Sequence, residues 1–382
     1  MHLNLFIAFV VLLILIFEIL KFDRMPSSLF KILSCFIICL FVSPSSISQA
    51  QKKPKNIILL IGDGMGLSEI SSSLYFNEKP SNFLRFNTVG LSMTSSSKEL
   101  ITDSAAGATA FASGIKTYNG AVGVDENMQA VETIVEYISK KGIATGLVAT
   151  SSIVHATPAA FYAHQESRRM YEEIAAELVT SDIDFFAGGG LQFFTHREDG
   201  QNLLPQLEKN NFVVHTDVLP KKISEKKQAI LLAPDGMPKM SENRGNFLTN
   251  ATMLAIGQLS KNKEGFFLMV EGSQIDWGGH ANDADYLINE LIDFDKTIGA
   301  VLDFAERNGE TLVIVTADHE TGGFSLSAEE GNYNKILGSF STNGHTATMV
   351  PVFAQGPSEE LFGGIYQNTN IFTLLKQLSE KK

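Results

Sequence analysis

Two pairs of acidic and imidazole side chains have the spacing of metal ligands. Asp276 and His280 are four residues apart, which on a helix or a tight turn brings both side chains to one ion. Asp318 and His319 are adjacent at the end of an apolar run, and a bend in the backbone there would turn both toward one ion. Each pair alone also has a structural explanation, such as a solvated turn for Asp276 and His280, so the prediction of a metal site depends on further ligands.

Further candidate ligands lie beside other apolar segments. Asp63 lies among glycines in IGDGMG, where the backbone can turn tightly around it, and His345 precedes the last apolar run. The complete set has three carboxylates and three imidazoles: Asp63, Asp276, His280, Asp318, His319 and His345. Such a set suits two zinc ions about 3.5–4 Å apart, the spacing of two-metal phosphoryl-transfer sites. Glu271 and Thr157 offer only oxygen, which suits magnesium better than zinc.

The sequence ITDSAAGATA, residues 101–110, places a hydroxyl group beside a carboxylate. Ser104 directly follows Asp103, and the pair fits either a nucleophile with an orienting acid or the capped start of a helix. Arg168 and Arg169 supply guanidinium groups, which can grip two phosphate oxygens at once. The alternative for two adjacent arginines is a solvated helix face, and the residues themselves do not decide between the two.

The elements that must position these side chains alternate between strand and helix patterns. Six apolar runs predict buried strands: residues 57–61, 146–150, 184–187, 266–270, 312–316 and 351–354. Helical patterns lie between them: residues 130–140, 172–179, 250–259 and 286–307. This alternation predicts an α/β fold with a mostly parallel central sheet.

Acidic and imidazole residues follow four of these strands. Asp63, His155, Glu271 and Asp318 come after the first, second, fourth and fifth apolar runs. In open α/β sheets, ligands bind outside the carboxyl ends of the strands, where such side chains meet. Core packing alone does not require charged groups there, so the sequence predicts one site at the carboxyl ends of the strands.

The N-terminal 50 residues resemble a targeting segment. The apolar run 32–42 is short for a membrane-spanning helix, which needs about 20 residues, but it suits a secretory signal that starts at Met25 and is cleaved after Ala50. The alternative is an uncleaved membrane anchor. We therefore divide the chain into residues 1–50 and a single catalytic domain, residues 51–382.

Composition limits the chemistry of the predicted domain. Cleavage would remove Cys35 and Cys39, so histidine and carboxylate side chains must hold any metal. A formal net charge of −12 argues against a nucleic-acid partner. Two polar segments, residues 196–245 and 326–344, are expected to be surface excursions within the one domain.

Six ordered motifs resemble those of the alkaline phosphatase family: IGDGMG, TDSAAGATA, HATPAAFYAHQESR, VEGSQIDWGGH, TADHETGGF and NGHT. They extend from Ile61 to Thr346, nearly the whole chain after the signal segment. The resemblance implies a three-layer α/β/α sandwich and hydrolysis of phosphate monoesters. The short excursions and Trp277 are most similar to compact bacterial members of the family.

The resemblance also implies a role for each matching residue. Ser104 would be the nucleophile and form a phosphoserine, and Arg168, rather than Arg169, would grip the phosphate. Asp103 would cap the helix and anchor Arg168. The implied metal ligands fall into three groups: Asp276, His280 and His345 for a zinc ion that activates water; Asp63, Asp318 and His319 for a zinc ion that activates the serine; and Asp63, Glu271 and Thr157 for magnesium.

Two residues depart from the enterobacterial form of the family. His155 stands where that form has Asp, and Trp277 where it has Lys. These replacements remove a charge near the third metal and a water-mediated contact with phosphate. We therefore expect His155 near the magnesium, weaker phosphate binding and faster product release.

The predicted function is hydrolysis of small phosphate monoesters at alkaline pH by a periplasmic or secreted homodimer with two zinc ions and one magnesium ion. One alternative is a relative that cleaves phosphodiesters or sulfate esters. Arg168 favours the monoester, because it would grip non-bridging oxygens that a diester partly blocks. The other alternative is an inactive, metal-dependent phosphate-binding protein, against which Ser104 argues.

Overall fold

A ten-stranded sheet lies at the centre of the computed structural model, which describes residues 53–380. The strands, in chain order, are β1 (Asn56–Gly62), β2 (Thr88–Met93), β3 (Ala144–Ser152), β4 (Phe185–Gly189), β5 (Phe212–His215), β6 (Lys227–Leu231), β7 (Phe266–Gly272), β8 (Thr311–Thr316), β9 (Glu320–Thr321), β10 (Ser325–Glu329), β11 (Asn332–Ser339), β12 (His345–Thr346), β13 (Val350–Gln355) and β14 (Gly364–Gln367). The order across the main sheet is β14-β2-β13-β8-β1-β7-β3-β4-β6-β5.

All neighbouring strands of this sheet are parallel except at β13, which runs antiparallel to β2 and β8. Two further pairs, β10–β11 and β9–β12, form small antiparallel sheets. The mostly parallel central sheet confirms the predicted α/β class.

Helices follow most strands and return the chain to the amino end of the sheet. They are α1 (Leu67–Phe76), α2 (Ser104–Ser113), α3 (Ile134–Ser139), α4 (Ala156–Ala159), α5 (Tyr171–Thr180), α6 (Leu191–Thr195), α7 (Leu204–Lys209), α8 (Phe247–Leu259), α9 (Gln274–His280), α10 (Ala284–Asn308) and α11 (Thr369–Ser379). Short 3₁₀ turns occupy Asn82–Arg85, Met240–Glu242 and Glu359–Phe362. Helix α10 begins at the cap Asp283 and ends at Gly309, whose positive φ favours glycine.

The core divides into two layers because side chains alternate along each strand. In β1, Ile57, Leu59 and Ile61 pack on one face with α2, α3, α5 and α11, whereas Ile58 and Leu60 pack on the other face with α8 and α10. Every residue of β1 is buried, which explains its continuous apolar sequence. Helices on both faces of a mostly parallel sheet confirm the expected three-layer sandwich.

The two polar segments expected to be excursions have regular structure of their own. Residues 196–245 include β5 and β6, which extend one edge of the main sheet, and residues 326–344 include most of the hairpin β10–β11. Strands β5 and β6 are only four and five residues long and include polar side chains, so their apolar pattern is weak. No helix within residues 53–380 has the length and apolar character needed to cross a bilayer. The predicted signal segment lies outside the described residues.

Candidate active site

Four adjacent strands deliver the predicted acidic and imidazole residues to one place. Asp63 follows β1, Glu271 lies near the end of β7, Asp318 follows β8, and His155 lies beyond β3. Because the order of these strands is β8-β1-β7-β3, their carboxyl ends are neighbours. The side chains of the three acids are completely buried there. The sheet therefore brings together residues that are up to 255 positions apart.

The first ligand group consists of Asp63, Asp318 and His319, whose ligand atoms lie within 4.8 Å of one another. His319 Nε2 is 3.4 Å from Asp63 Oδ1 and 3.4 Å from Asp318 Oδ2. Both oxygens of Asp63 and Oδ2 of Asp318 are buried without a hydrogen-bond partner. Buried carboxylate oxygens without partners are unfavourable, so this donor set fits a divalent cation.

The pKa shifts of these three residues also favour a bound cation. Burial, together with the charges of Asp318 and Asp276, raises the pKa of Asp63 well above its usual value. Burial and the charge of Asp276 likewise raise the pKa of Asp318 to about 8. Burial and the neighbouring His345 lower the pKa of His319, so its ring is neutral and able to bind a metal. A bound cation would compensate the crowded negative charge.

The second ligand group, Asp276, His280 and His345, joins helix α9 to strand β12. His280 Nε2 lies 3.3 Å from Asp276 Oδ1 and 3.1 Å from His345 Nε2, and His345 Nε2 lies 3.6 Å from Asp276 Oδ1. The Nδ1 atoms of the two histidines lie 2.7 Å from Asn343 O and 2.8 Å from Thr102 O. A hydrogen donated by each Nδ1 to these carbonyls would leave Nε2 free for a metal.

The third ligand group is Asp63, His155 and Glu271, whose ligand atoms again lie within 4.8 Å. Burial raises the pKa of Glu271 to about 7, although the hydroxyls of Ser273 and Ser151 donate to its Oε2 and act against this shift. Oε1 of Glu271 has no hydrogen-bond partner. The group therefore has a carboxylate oxygen free for a cation, and the hydroxyl of Thr157 lies beside it.

Ser104 is the first residue of helix α2 and faces the first ligand group. Its Oγ is 3.2 Å from His319 Nε2, and the residue is only 2% exposed. Asp103 caps the helix by accepting a hydrogen bond from Ala106 N at 3.0 Å. A Cβ on Gly107 would lie 3.1 Å from Asp318 Cβ, so glycine lets the helix approach the metal ligands closely. The two sequence interpretations, nucleophile and helix start, are compatible in this geometry.

Arg168 extends toward the same site, whereas Arg169 is exposed. Arg168 Nη1 donates to Asp103 Oδ2 at 3.1 Å, and Nη2 lies 3.2 Å from His155 Nε2. Burial and the charge of Arg168 lower the pKa of His155 to about 3, so this ring is neutral and Nε2 accepts the hydrogen bond. The guanidinium is thus held by the imidazole of His155 and by the carboxylate of Asp103, the residue before Ser104.

Thr321 is a site residue that sequence reasoning missed. Its hydroxyl donates to Asp276 Oδ1 at 2.5 Å and lies 3.1 Å from His319 Nδ1, so it links the first two ligand groups. Thr321 is two residues after His319, and this spacing places both side chains on the same side of an extended backbone. The spacing was the one sequence signal that could have identified Thr321.

Comparison with known proteins gives one family. Residues 54–340 match the family model described as alkaline phosphatase. Alkaline phosphatase 3 of Bacillus subtilis is 35% identical, over 86% of this chain and 90% of that protein. The structure of alkaline phosphatase from the Antarctic bacterium TAB5 is 53% identical, covers 87% of this chain and 99% of its own, and has a TM-score of 0.86.

A second structure of the TAB5 enzyme, a variant with one histidine replaced by aspartate, has magnesium bound in its M3 site. It is also 53% identical and has a TM-score of 0.85, with the same coverage of 87% and 99%. Among the candidate ligands, His345 lies beyond the residues matched by the family model, but the fold brings it to the others. The chain belongs to the alkaline phosphatase family, and it hydrolyses phosphate monoesters.

Proposed function

We propose that Ser104 is the nucleophile of this reaction, which proceeds through a phosphoserine at a site for two zinc ions and one magnesium ion at alkaline pH. The proposal rests on one observation. The Ser104 hydroxyl, at the start of a helix, lies 3.2 Å from a buried histidine that is grouped with two carboxylates, three of whose oxygens lack hydrogen-bond partners. A nucleophile and a set of cation ligands are the parts that phosphoryl transfer to a serine requires.

The donor chemistry supports a specific distribution of the metals. The two groups that combine carboxylate with imidazole ligands suit zinc: Asp63, Asp318 and His319, and Asp276, His280 and His345. Asp63, Glu271 and Thr157 offer oxygen ligands, which suit magnesium, with His155 beside them. Bound cations would lower the pKa of the attacking hydroxyl and stabilise the oxygen that leaves.

Arg168 and the start of helix α2 would hold the phosphoryl group of the substrate. A guanidinium can donate to two non-bridging phosphate oxygens, and Asp103 and His155 already fix the orientation of this one. The free N–H groups at a helix N-terminus also favour an anion. Ala105, Ala106 and Gly107 have small side chains that leave room for it.

The reaction would consist of two displacements at phosphorus. Ser104 Oγ loses its proton and forms a bond to phosphorus while the ester bond breaks, and the leaving alkoxide takes up a proton. Water then attacks the phosphoserine, the bond to Oγ breaks, and Oγ regains a proton as phosphate leaves. Each displacement inverts phosphorus, so the overall configuration is retained. Positioning and electrostatic stabilisation supply most of the rate enhancement.

Replacement of the nucleophile tests this proposal. Ser104→Ala should lose nearly all hydrolysis of p-nitrophenyl phosphate and all acid-trapped phosphoenzyme, while its zinc content stays unchanged. Ser113→Ala, at the opposite end of α2, is the matched control and should remain active. Full activity of Ser104→Ala at normal metal content would show that the nucleophile is assigned wrongly. Under the same conditions, the wild-type enzyme should turn over a phosphate monoester faster than a phosphodiester or a sulfate ester.

We also propose that the enzyme is exported and forms a homodimer. The apolar run 32–42 and the small residues that end at Ala50 support cleavage of a secretory signal. N-terminal sequencing of the protein from its native host should begin at residue 51. The family resemblance supports the dimer, and light scattering of the purified enzyme should give twice the mass of one chain.

A further inference from the structure

A loop outside the predicted motifs lies between the nucleophile and Arg168. We call residues 117–122 the bridging loop. Val122 and Gln165 exchange backbone hydrogen bonds of 3.0 and 2.9 Å, and Arg168 N donates to Gly120 O at 2.7 Å. The loop therefore fixes the backbone that presents Arg168.

Asn119, in the same loop, fixes the backbone that precedes the nucleophile. Its Oδ1 accepts from Asp103 N at 3.0 Å, and its Nδ2 donates to Ile101 O at 3.0 Å. One side-chain amide thus holds the peptide groups on both sides of Thr102. These contacts are specific, because only a group that has both a donor and an acceptor in this arrangement can make them.

The turn held by Asn119 also contacts a candidate metal ligand. Thr102 O lies 2.8 Å from His345 Nδ1 and is the acceptor that would orient the imidazole. Thr102 itself is only 1% exposed, so few water molecules could replace this contact. Movement of the turn would therefore disturb Ser104, His345 and, through Asp103, Arg168 together.

We propose that Asn119 is a positioning residue for phosphoryl transfer, which holds the turn at 101–104 in register with the backbone of Arg168. The proposal rests on the proposed role of Ser104 and Arg168 and assigns Asn119 no contact with substrate. A misplacement of about 1 Å between reacting groups can cost about 100-fold in rate. Two side-chain hydrogen bonds are thus expected to affect catalysis more than folding.

Two substitutions separate the parts of this role. Asn119→Ala removes both hydrogen bonds. Asn119→Asp keeps an acceptor for Asp103 N but loses the donor to Ile101 O and places a carboxylate against that carbonyl. Asn127→Ala, in an exposed turn of the next loop, is the matched control.

The first measurement is kcat/KM per metal-loaded active site with an alkyl phosphate, whose slower bond cleavage keeps diffusional encounter from masking the effect. We expect Asn119→Ala to lower it about 10- to 100-fold. We expect Asn119→Asp to lower it at least as much, and Asn127→Ala to stay within about twofold, all at wild-type zinc content. Loss of zinc in proportion to activity would overturn the proposal, because the role would then be structural.

A second measurement separates this proposal from the assignment of the nucleophile. In the Ser104→Ala background, where no phosphoserine forms, Asn119→Ala should weaken binding of inorganic phosphate about 3- to 10-fold, since Arg168 is no longer aligned. This result is independent of whether Ser104 is the nucleophile. Wild-type phosphate binding in that background, together with wild-type kcat/KM for Asn119→Ala alone, would overturn the positioning role while leaving the proposed reaction intact.

Discussion

The carboxylate of Asp103 accepts a hydrogen bond from the guanidinium of Arg168, with Nη1 and Oδ2 3.1 Å apart. Its other oxygen accepts from Ala106 N and caps helix α2. One side chain therefore fixes both the helix that begins with Ser104 and the group proposed to grip phosphate. The two functions of this carboxylate differ in chemistry, because capping needs an acceptor and pairing with Arg168 needs a charge.

Substitutions at Asp103 should separate these two functions. Asp103→Asn keeps an oxygen acceptor for Ala106 N but loses the charge, so we expect weaker inhibition by inorganic phosphate, about 3- to 10-fold, with little change in stability. Asp103→Ala should weaken phosphate binding similarly and also lower the free energy of unfolding by about 1 kcal/mol. Phosphate inhibition constants and urea unfolding check both. Equal stability of the two variants would contradict the capping role.

Arg168 and the exposed Arg169 form a natural pair of test and control. Arg168→Ala removes charge-assisted hydrogen bonds to phosphate, each worth about 1.5–3 kcal/mol, so kcat/KM should fall at least about tenfold. Arg169→Ala should stay within about twofold because its side chain is solvated. The measurement is kcat/KM for p-nitrophenyl phosphate with both variants at equal metal content. The reverse order of effects would place the phosphate at the other arginine.

The sequence predicted the parts of the site that follow strong local patterns. Strands β1, β3, β7 and β8 are buried along their whole length and mostly apolar because helices cover both faces of the sheet, and the acidic residues at or after their carboxyl ends stand out. Parallel neighbours then bring Asp63, Glu271 and Asp318 together without further information. For this reason the fold class and the location of the site followed from the sequence.

The parts that the sequence did not reveal depend on contacts between distant segments. Asn119 lies in a loop with no metal-ligand or nucleophile pattern, and its partners at 101 and 103 are defined only once the chain is folded. Strand β5, at the edge of the sheet, and its neighbour β6 are short and partly polar, so their periodicity is too weak to detect.

A buried ion triad ties the segment before helix α8 to helix α10. Arg244 Nη2 contacts Glu290 and lies 3.0 Å from Asp293 Oδ2, and all three side chains are at most 2% exposed. Arg244→Met would leave two buried carboxylates without their cation, so we expect the free energy of unfolding to fall by about 3–5 kcal/mol. Urea unfolding of the metal-loaded enzyme measures this loss.

The control for Arg244 is an exposed pair. Lys140 contacts Glu132 at 2.5 Å, but the two side chains are 66% and 41% exposed, so Lys140→Met should leave the urea unfolding midpoint nearly unchanged. Similar small losses for both variants would mean that the buried triad is solvated in solution and does not stabilise the fold.

Glu69 and Glu320 form a pair of buried carboxyl groups beside the ligand residues. Glu69, in helix α1, is completely buried and neither of its oxygens has a hydrogen-bond partner, whereas Glu320 accepts from Phe324 N and from the hydroxyl of Thr346. Burial and then the charge of Glu320 raise the pKa of Glu69 well above its usual value. Glu69 is thus the carboxyl group of this pair that keeps a proton above the ordinary glutamate pKa.

This arrangement predicts a pH-dependent effect of Glu69→Gln. From the ordinary glutamate pKa of about 4.3 up to the raised value, folded Glu69 keeps a proton that the unfolded chain has lost, so wild-type stability falls as pH rises. Glutamine cannot ionise, so the thermal midpoint of the variant relative to wild type should increase from pH 5 to pH 9. The exposed Glu126→Gln should show no such trend. A relative midpoint that stays constant from pH 5 to pH 9 would instead indicate that folded Glu69 is ionised over this whole range.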